Sequence, residues 1–456
     1  MAAANAMQLM RTAAVIGAGG KMGSGIAWVA LKAMAEADAR ENGMPGSGRF
    51  QLVLIESRPG SFRSLAAYLK GQLLKAAEKD IVGLREAARG RADLIENGEI
   101  IGAYADGAMS MVRFETDLAA AREAGIVFEA VFEDLELKKT LYGRLKSVCA
   151  PGAFFLTNTS SIPISILDES AGLDGRILGF HFYNPPAVQK LVEVISGKAT
   201  RPELIALGGE LGAMFGKITV PSRDVAGFIG NGHFIREGLY ALRVFREMRW
   251  AHGDAKALRL IDTATRDFLI RPMGIFQLMD YVGLEVFRMI VKVMQEHGGE
   301  EGLGRDLGGV GILDGLLDAG VRGGQEGSGE QKDGLFRYSR NSPIAVYDIK
   351  EGAYVSLSDP KRFPPGLDWL GPLPQGHVPW NALVKDPGRK GRLDAYFIRL
   401  SGATTPGARM AREFLNYSRR VGQDLVRTGV AASDEDVSRV LRNGFYHLYG
   451  PADWTH

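Results

Sequence analysis

A short apolar run, Thr12 to Ile16, leads into Gly17-Ala18-Gly19-Gly20-Lys21-Met22-Gly23-Ser24-Gly25, and a helical pattern begins at Ile26. Strand, glycine turn and helix in that order describe the opening of a doubly wound α/β domain, in which a parallel strand reverses into a helix at its carboxyl end. Glycines there allow a tight turn and close approach of backbone to a pyrophosphate, whose charge the helix N-terminus favours. Gly17, Gly19 and Gly23 are the candidate contacts. Their spacing, G-x-G-x-x-x-G, is one residue longer than the usual dinucleotide fingerprint, so the turn taken alone also reads as purely structural.

The second apolar run, Phe50 to Ile55, ends in Glu56. A carboxylate at that strand end suits the adenosine ribose hydroxyls and repels a 2′-phosphate, which favours NAD; Arg58 leaves NADP open. Glu56 lies 33 residues beyond Gly23, against about 20 in the usual pattern. A lengthened helix and the loop Glu41 to Gly48 account for the excess. Ser61 to Ile101 is then helical in pattern and carries Lys70, Lys75 and Lys79 among Leu and Ala, as a helical arm between strands. Val112 to Phe114 and Ile126 to Glu129 read as further strands, and Leu135 to Val148 as a helix.

Two more runs, Ala153 to Leu156 and Ile177 to Phe180, have the length and bounding Gly or Pro of buried parallel strands. They carry Ser160 and His181 to the strand ends, the edge where open α/β sheets bind ligands. Glu193 follows a third run, Lys190 to Val192, and can return to the same edge. A hydroxyl, an imidazole and a carboxylate converging there form a general-base constellation. A lone histidine before Asn184-Pro185-Pro186 would otherwise be read as satisfying backbone groups in a turn.

Several of these segments together resemble the 3-hydroxyacyl-CoA dehydrogenase family. Glu129-Ala-Val-Phe-Glu-Asp134, Asn158-Thr-Ser-Ser161, His181-Phe-Tyr-Asn-Pro185, Leu191-Val-Glu-Val-Ile195 and Gly227-Phe-Ile-Gly-Asn231 occur in that family's order and spacing. The resemblance runs from about Thr12 to Gly311. It implies an NAD-dependent oxidation of (S)-3-hydroxyacyl-CoA to 3-oxoacyl-CoA, with His181 as general base and Glu193 holding its tautomer. It implies that Ser160 and Asn231 bond the reacting oxygen or the thioester carbonyl. It further implies that Glu133, Asn158 and Asn184 line the cofactor site with Lys138 close by, and that Lys70 approaches the CoA phosphates. Two departures stand out: the extra residue in the glycine turn, and Gly232 where the family usually places Arg. Two other readings remain open: a dehydrogenase of a non-CoA hydroxy acid on this scaffold, and an inactive cofactor-binding or structural homologue.

The expected fold class is a Rossmann-type α/β cofactor domain with a helical arm, followed by all-α C-terminal domains. The cofactor domain is expected over 11–222, with the arm at about 61–101. A first helical domain follows over 223–340, an insertion over 341–394, and a second helical domain over 395–456 that repeats the first. A shift of 176 residues sets Arg236-Glu237-x-Leu239 on Arg412-Glu413-x-Leu415, which suggests the duplication. Family members carrying both helical domains in one chain can be monomers, while shorter ones pair as homodimers; both states stay open. The insertion, with Phe363-Pro364-Pro365-Gly366 and the run Trp369 to Trp380, reads as ordered because it is rich in aromatics and prolines.

Net charge of +2 gives no ground for nucleic acid or an anionic membrane as partner. The single cysteine, Cys149, forbids an intrachain disulfide, and no His/Cys/Asp spacing suggests a metal site. Met1 to Met10 lacks the basic start of a signal peptide and no run reaches membrane-spanning length, so a cytoplasmic protein is expected. The chain contains no hydratase segment, so a separate enoyl-CoA hydratase is expected to act upstream.

Overall fold

The computed structural model describes residues 6–298, 303–326, 329–363 and 369–453. Two compact units meet in sequence at Asp224 and Val225.

The first unit is built on eight strands: β1 (Thr12–Ile16), β2 (Gln51–Ile55), β3 (Val112–Glu115), β4 (Ile126–Glu129), β5 (Phe154–Thr157), β6 (Ile177–Phe182), β7 (Leu191–Ser196) and β8 (Ile218–Arg223). They form one sheet in the order β3-β2-β1-β4-β5-β6-β7-β8. Every neighbouring pair is parallel except β6 and β7. The helices are α1 (Ala6–Leu9), α2 (Lys21–Asn42), α3 (Phe62–Lys79), α4 (Ile81–Ala87), α5 (Asn97–Ser110), α6 (Leu135–Val148), α7 (Ile164–Ala171) and α8 (Pro202–Met214). Strands β4, β5 and β6 are buried along their whole length. This explains why their sequences are continuously apolar rather than alternating.

The strand order reverses at β1 and β4, which makes a crevice between them at the carboxyl edge, and the glycine turn follows β1 there. The helical arm is α3, α4 and α5. Leu65, Leu69 and Leu73 recur at the helical spacing on one side of α3 and are buried in the core that also holds Met34 and Ala35 of α2. Lys70, Lys75 and Lys79 lie off the buried leucine stripe and are exposed.

The second unit begins with α9 (Gly230–His252), α10 (Asp254–Thr263), α11 (Ile275–Val282), α12 (Leu284–His297) and α13 (Val310–Asp318). Gly227 and Phe228, just before the first of these, have φ of 87° and 50°, so the right-handed helix begins only after them. A small antiparallel sheet follows, β9 (Phe336–Ser339), β10 (Ser342–Asp348) and β11 (Ala353–Ser356), in the order β11-β10-β9. Most of it lies in the stretch expected to be an insertion; Pro364, Pro365 and Gly366 of that stretch lie outside the described residues. The unit ends with α14 (Trp380–Leu383), α15 (Arg389–Gly402), α16 (Pro406–Arg427) and α17 (Asp434–Gly444). The opening of α16 at Pro406 is 176 residues beyond the opening of α9 at Gly230.

Two buried polar knots hold this unit. Asp280 accepts from Leu335 N at 2.7 Å, Phe336 N at 2.8 Å and the Tyr338 hydroxyl at 2.9 Å, and so pins β9 to α11. Arg271 donates to both carboxylate oxygens of Glu237 at 3.0 and 3.2 Å. Gly232 stands where an arginine was expected, yet this unit does contain a buried arginine–carboxylate pair.

Among the described residues, no helix is long and apolar enough to cross a membrane.

Candidate active site

Strands β6 and β7 are antiparallel, and their register sets His181 directly opposite Glu193. Directly opposed residues point to the same face of a sheet. The His181 Nδ1 lies 3.2 Å from Glu193 Oε1, and both side chains are buried. With Nδ1–H donated to the carboxylate, Nε2 is the ring's proton acceptor. Glu193 therefore does not return to the edge from a loop after a strand, as its sequence suggested; it sits within β7. The Tyr183 hydroxyl also donates to Glu193 Oε1, at 2.8 Å.

Ser160 lies on the turn after β5, the strand beside β6. Glu133 shapes this turn: its Oε1 accepts from Thr159 Oγ1 at 2.6 Å, Ser160 N at 2.8 Å, Ser161 Oγ at 3.1 Å and Ser161 N at 3.2 Å. Asn158 Oδ1 accepts from Phe182 N at 2.8 Å, fastening the end of β5 to β6 beside His181. Asn184 stands two residues beyond the end of β6.

Lys138, on the first turn of α6, is almost completely enclosed. Its ammonium donates to Glu129 Oε1 at 2.7 Å and Oε2 at 2.9 Å, and lies 3.3 Å from Glu133 Oε2. Glu129 also accepts from Thr157 Oγ1 at 2.6 Å and Tyr142 at 3.1 Å. Burial lowers the proton affinity of the Lys138 ammonium, but Glu129 and then Glu133 outweigh it, and the net shift is upward. Burial raises the Glu133 carboxyl, but Lys138 and then Thr159 outweigh it, and the net shift is downward. Lys138 thus stands as the counter-charge beneath the Ser160 turn.

At the switch point, Gly17 has φ of 77°, and a Cβ on it would sit 2.7 Å from the Ala130 carbonyl oxygen. A Cβ on Gly23 would sit 2.0 Å from the Gly17 carbonyl oxygen. These two positions admit no side chain, which brings the turn and the start of α2 together. Gly20, the N-cap of α2, offers no side chain to cap it. Glu56 follows β2 directly, beside the turn, and its Oε2 accepts from Gly19 N at 3.1 Å.

Two further predicted contacts stand on other elements. Lys70 is exposed on the arm, 2.8 Å from Asp106 Oδ1. Asn231 is in the first turn of α9, in the second unit.

Comparison with known proteins settles the family. Residues 69–225 match the family description "3-hydroxyacyl-CoA dehydrogenase, NAD binding domain", and residues 227–332 match "3-hydroxyacyl-CoA dehydrogenase, C-terminal domain". The chain belongs to the 3-hydroxyacyl-CoA dehydrogenase family. It is 27% identical over 369 residues to the 3-hydroxyadipyl-CoA dehydrogenase of Escherichia coli strain K12, covering 74% of this chain and 75% of that one. It is 32% identical over 224 residues to human mitochondrial hydroxyacyl-coenzyme A dehydrogenase, covering 48% of this chain and 69% of that one. The crystal structure of Escherichia coli 3-hydroxybutyryl-CoA dehydrogenase shares the fold with a TM-score of 0.61, at 24% identity, covering 98% of this chain and 91% of that one. The structure of Mycobacterium tuberculosis FadB2 matches with a TM-score of 0.52, at 27% identity over 72% of this chain and 99% of that one.

This 3-hydroxyacyl-CoA dehydrogenase family member is therefore an NAD-dependent oxidoreductase, and the switch point fits the cofactor. Gly17 and Gly23 keep side chains out of the turn, the uncapped start of α2 can face a pyrophosphate, and Glu56 adjoins the turn where ribose hydroxyls would lie. Sequence reasoning passed over two site residues. Tyr183 was legible in principle, since it stands two residues beyond His181 and the strand period returns it to the same face. Glu129 sat in a quoted motif without a role, because only the fold brings Lys138 to it.

Proposed function

We propose that this enzyme interconverts (S)-3-hydroxyacyl-CoA and 3-oxoacyl-CoA, with His181 as the acid–base group. The buried pair of His181 Nδ1 and Glu193 Oε1 at 3.2 Å carries this reading. NAD, when bound, supplies the hydride acceptor. His181 Nε2 takes the proton of the 3-hydroxyl while hydride leaves C3, and it returns that proton when the ketone is reduced. Glu193 fixes the tautomer and stabilises the imidazolium that forms. Ser160 and Asn231 donate to the reacting oxygen or the thioester carbonyl and align the substrate. Gly17, Gly19, Gly23 and Glu56 hold the dinucleotide. Asn158 and Asn184 border it, and the Glu133–Lys138 pair supports the serine turn beside it. Lys70 approaches the CoA phosphates. The hydroxyacyl thioester itself is supplied by an enoyl-CoA hydratase.

Consumption of NADH against a panel of 3-oxoacyl-CoA esters, repeated with NADPH, tests the reaction. His181→Gln is expected to lower kcat by at least about 100-fold, the scale of a general base. Turnover by that variant near the wild-type rate would remove the imidazole from the mechanism. An unchanged KM for acyl-CoA in Lys70→Ala would remove the arm from CoA recognition.

A further inference from the structure

We infer that Tyr183 is a positioning residue of the acid–base pair, clamping one carboxylate oxygen of Glu193 against the imidazole and moderating its charge. The inference rests on the reading of His181 and Glu193 as that pair. Two donors converge on a single atom, Glu193 Oε1: the Tyr183 hydroxyl at 2.8 Å and His181 Nδ1 at 3.2 Å. The two rings lie beside each other, with centroids 4.8 Å apart and planes tilted by 39°. Glu193 is fully buried and Tyr183 nearly so. A buried carboxylate depends on its donors for orientation, because no water can substitute for them.

The phenol therefore does two things. It resists rotation of the carboxylate, which would carry Oε1 away from Nδ1. It also draws off part of the negative charge that Glu193 presents to the imidazole. Burial and the Glu193 charge both hold the Tyr183 phenol well above its ordinary range, which keeps it a hydrogen donor at every working pH.

The elements packed on β6 and β7 are β5, β8, α7 and α8. They carry Arg223 on β8, Asp168 and Glu169 on α7, and Glu203 and Glu210 on α8; β5 carries no charged residue. Asp168 accepts from Gly175 N at 3.1 Å and Glu210 from Ala6 N at 3.1 Å, so both are engaged away from the pair. The residue paired with Glu193 on β8 is Val220.

Tyr183→Phe deletes one oxygen and keeps the ring. Oxidation needs the unprotonated imidazole, so tighter proton binding by the pair moves the rise of kcat with pH to higher pH. The expected move is about one unit, with a roughly tenfold loss of kcat at neutral pH, the scale of a hydrogen bond to a charged group. KM for NAD stays within about twofold, since the phenol is placed on the carboxylate and not on the cofactor turn. In a Glu193→Gln background, Tyr183→Phe should add less than about twofold, because its route of action is already gone. A pH profile superimposable on wild type would overturn the inference, as would a full tenfold loss repeated in the Glu193→Gln background. Failure of the underlying acid–base reading shows separately, as near-normal turnover by His181→Gln.

Discussion

Replacing Lys138 by methionine tests whether the ion cluster under the serine turn supports the fold. The change removes one ammonium from contact with three carboxylate oxygens, at 2.7, 2.9 and 3.3 Å, and leaves a stem of similar length. Glu129 and Glu133 then face each other in a buried site with no cation between them. Stripping one partner from a buried pair costs about 3–5 kcal/mol. The donors that remain, Thr157 and Tyr142 on Glu129 and the Thr159–Ser161 turn on Glu133, argue against a larger figure. In the wild type, Glu133 titrates below its ordinary range and Lys138 above its own. The stabilisation from Glu133 is thus complete above its unfolded value of about 4.3 and is lost as pH falls through its lower folded value. That from Lys138 is complete below about 10.4 and is lost as pH rises through its higher folded value. The wild type should be flat in stability between those limits as far as this cluster is concerned. In the variant, one of the two carboxyls must hold a proton to stay buried. Its folded value moves above the unfolded one, and stability falls by up to about 1.4 kcal/mol per pH unit as pH rises beyond about 5. Urea unfolding of the first unit, followed at pH 5, 7 and 8.5, reads this directly. A loss near the full amount at pH 8.5, shrinking toward pH 5, is expected, with partial recovery when Glu129→Gln is added. A loss below about 1 kcal/mol, or one that does not change with pH, would show that the ammonium does not hold the two carboxylates in place.

Two further outcomes are expected. Asp280→Ala should lower the stability of the second unit by about 3–5 kcal/mol in urea unfolding, because it leaves two backbone N–H groups and the Tyr338 hydroxyl without their buried acceptor; a change under about 1 kcal/mol would show that water or a neighbour replaces the carboxylate. Glu56→Ala should raise KM for NAD by about tenfold with little change in kcat, and should narrow the preference over NADP; NADH fluorescence titration gives the affinity directly, and unchanged binding would remove Glu56 from ribose recognition.

What could be read from the chain, and what could not, follows from how far each signal extends along it. The strand–glycine–helix opening is local: Thr12–Ile16 and the turn after it carry their conformation in neighbouring residues, and the sheet begins where the sequence places it. The helix Leu135–Val148 was equally legible, because Asp134 caps it through Leu137 N and Pro151 follows closely behind it. Pairings between distant segments were less accessible. Glu193 reads as the residue after an apolar run, yet the antiparallel turn of β7 against β6 makes it a mid-strand partner of His181. A single sequence contains no mark of that reversal, since a fully buried strand looks the same in either direction. Lys138 illustrates the same limit in charge. The resemblance puts it close to the cofactor site, and only the position of Glu129 at the end of β4 makes it a buried counter-ion. Tyr183 lies between these cases. The strand period puts it on the face of His181, but its hydroxyl gains a role only because β7 supplies the carboxylate opposite. Residues that act through their own strand or helix are therefore found first, and those that act across the sheet emerge when the register is known. This is why the candidate pair of His181 and Glu193 was legible early, while the register that opposes them and the part of Tyr183 were not.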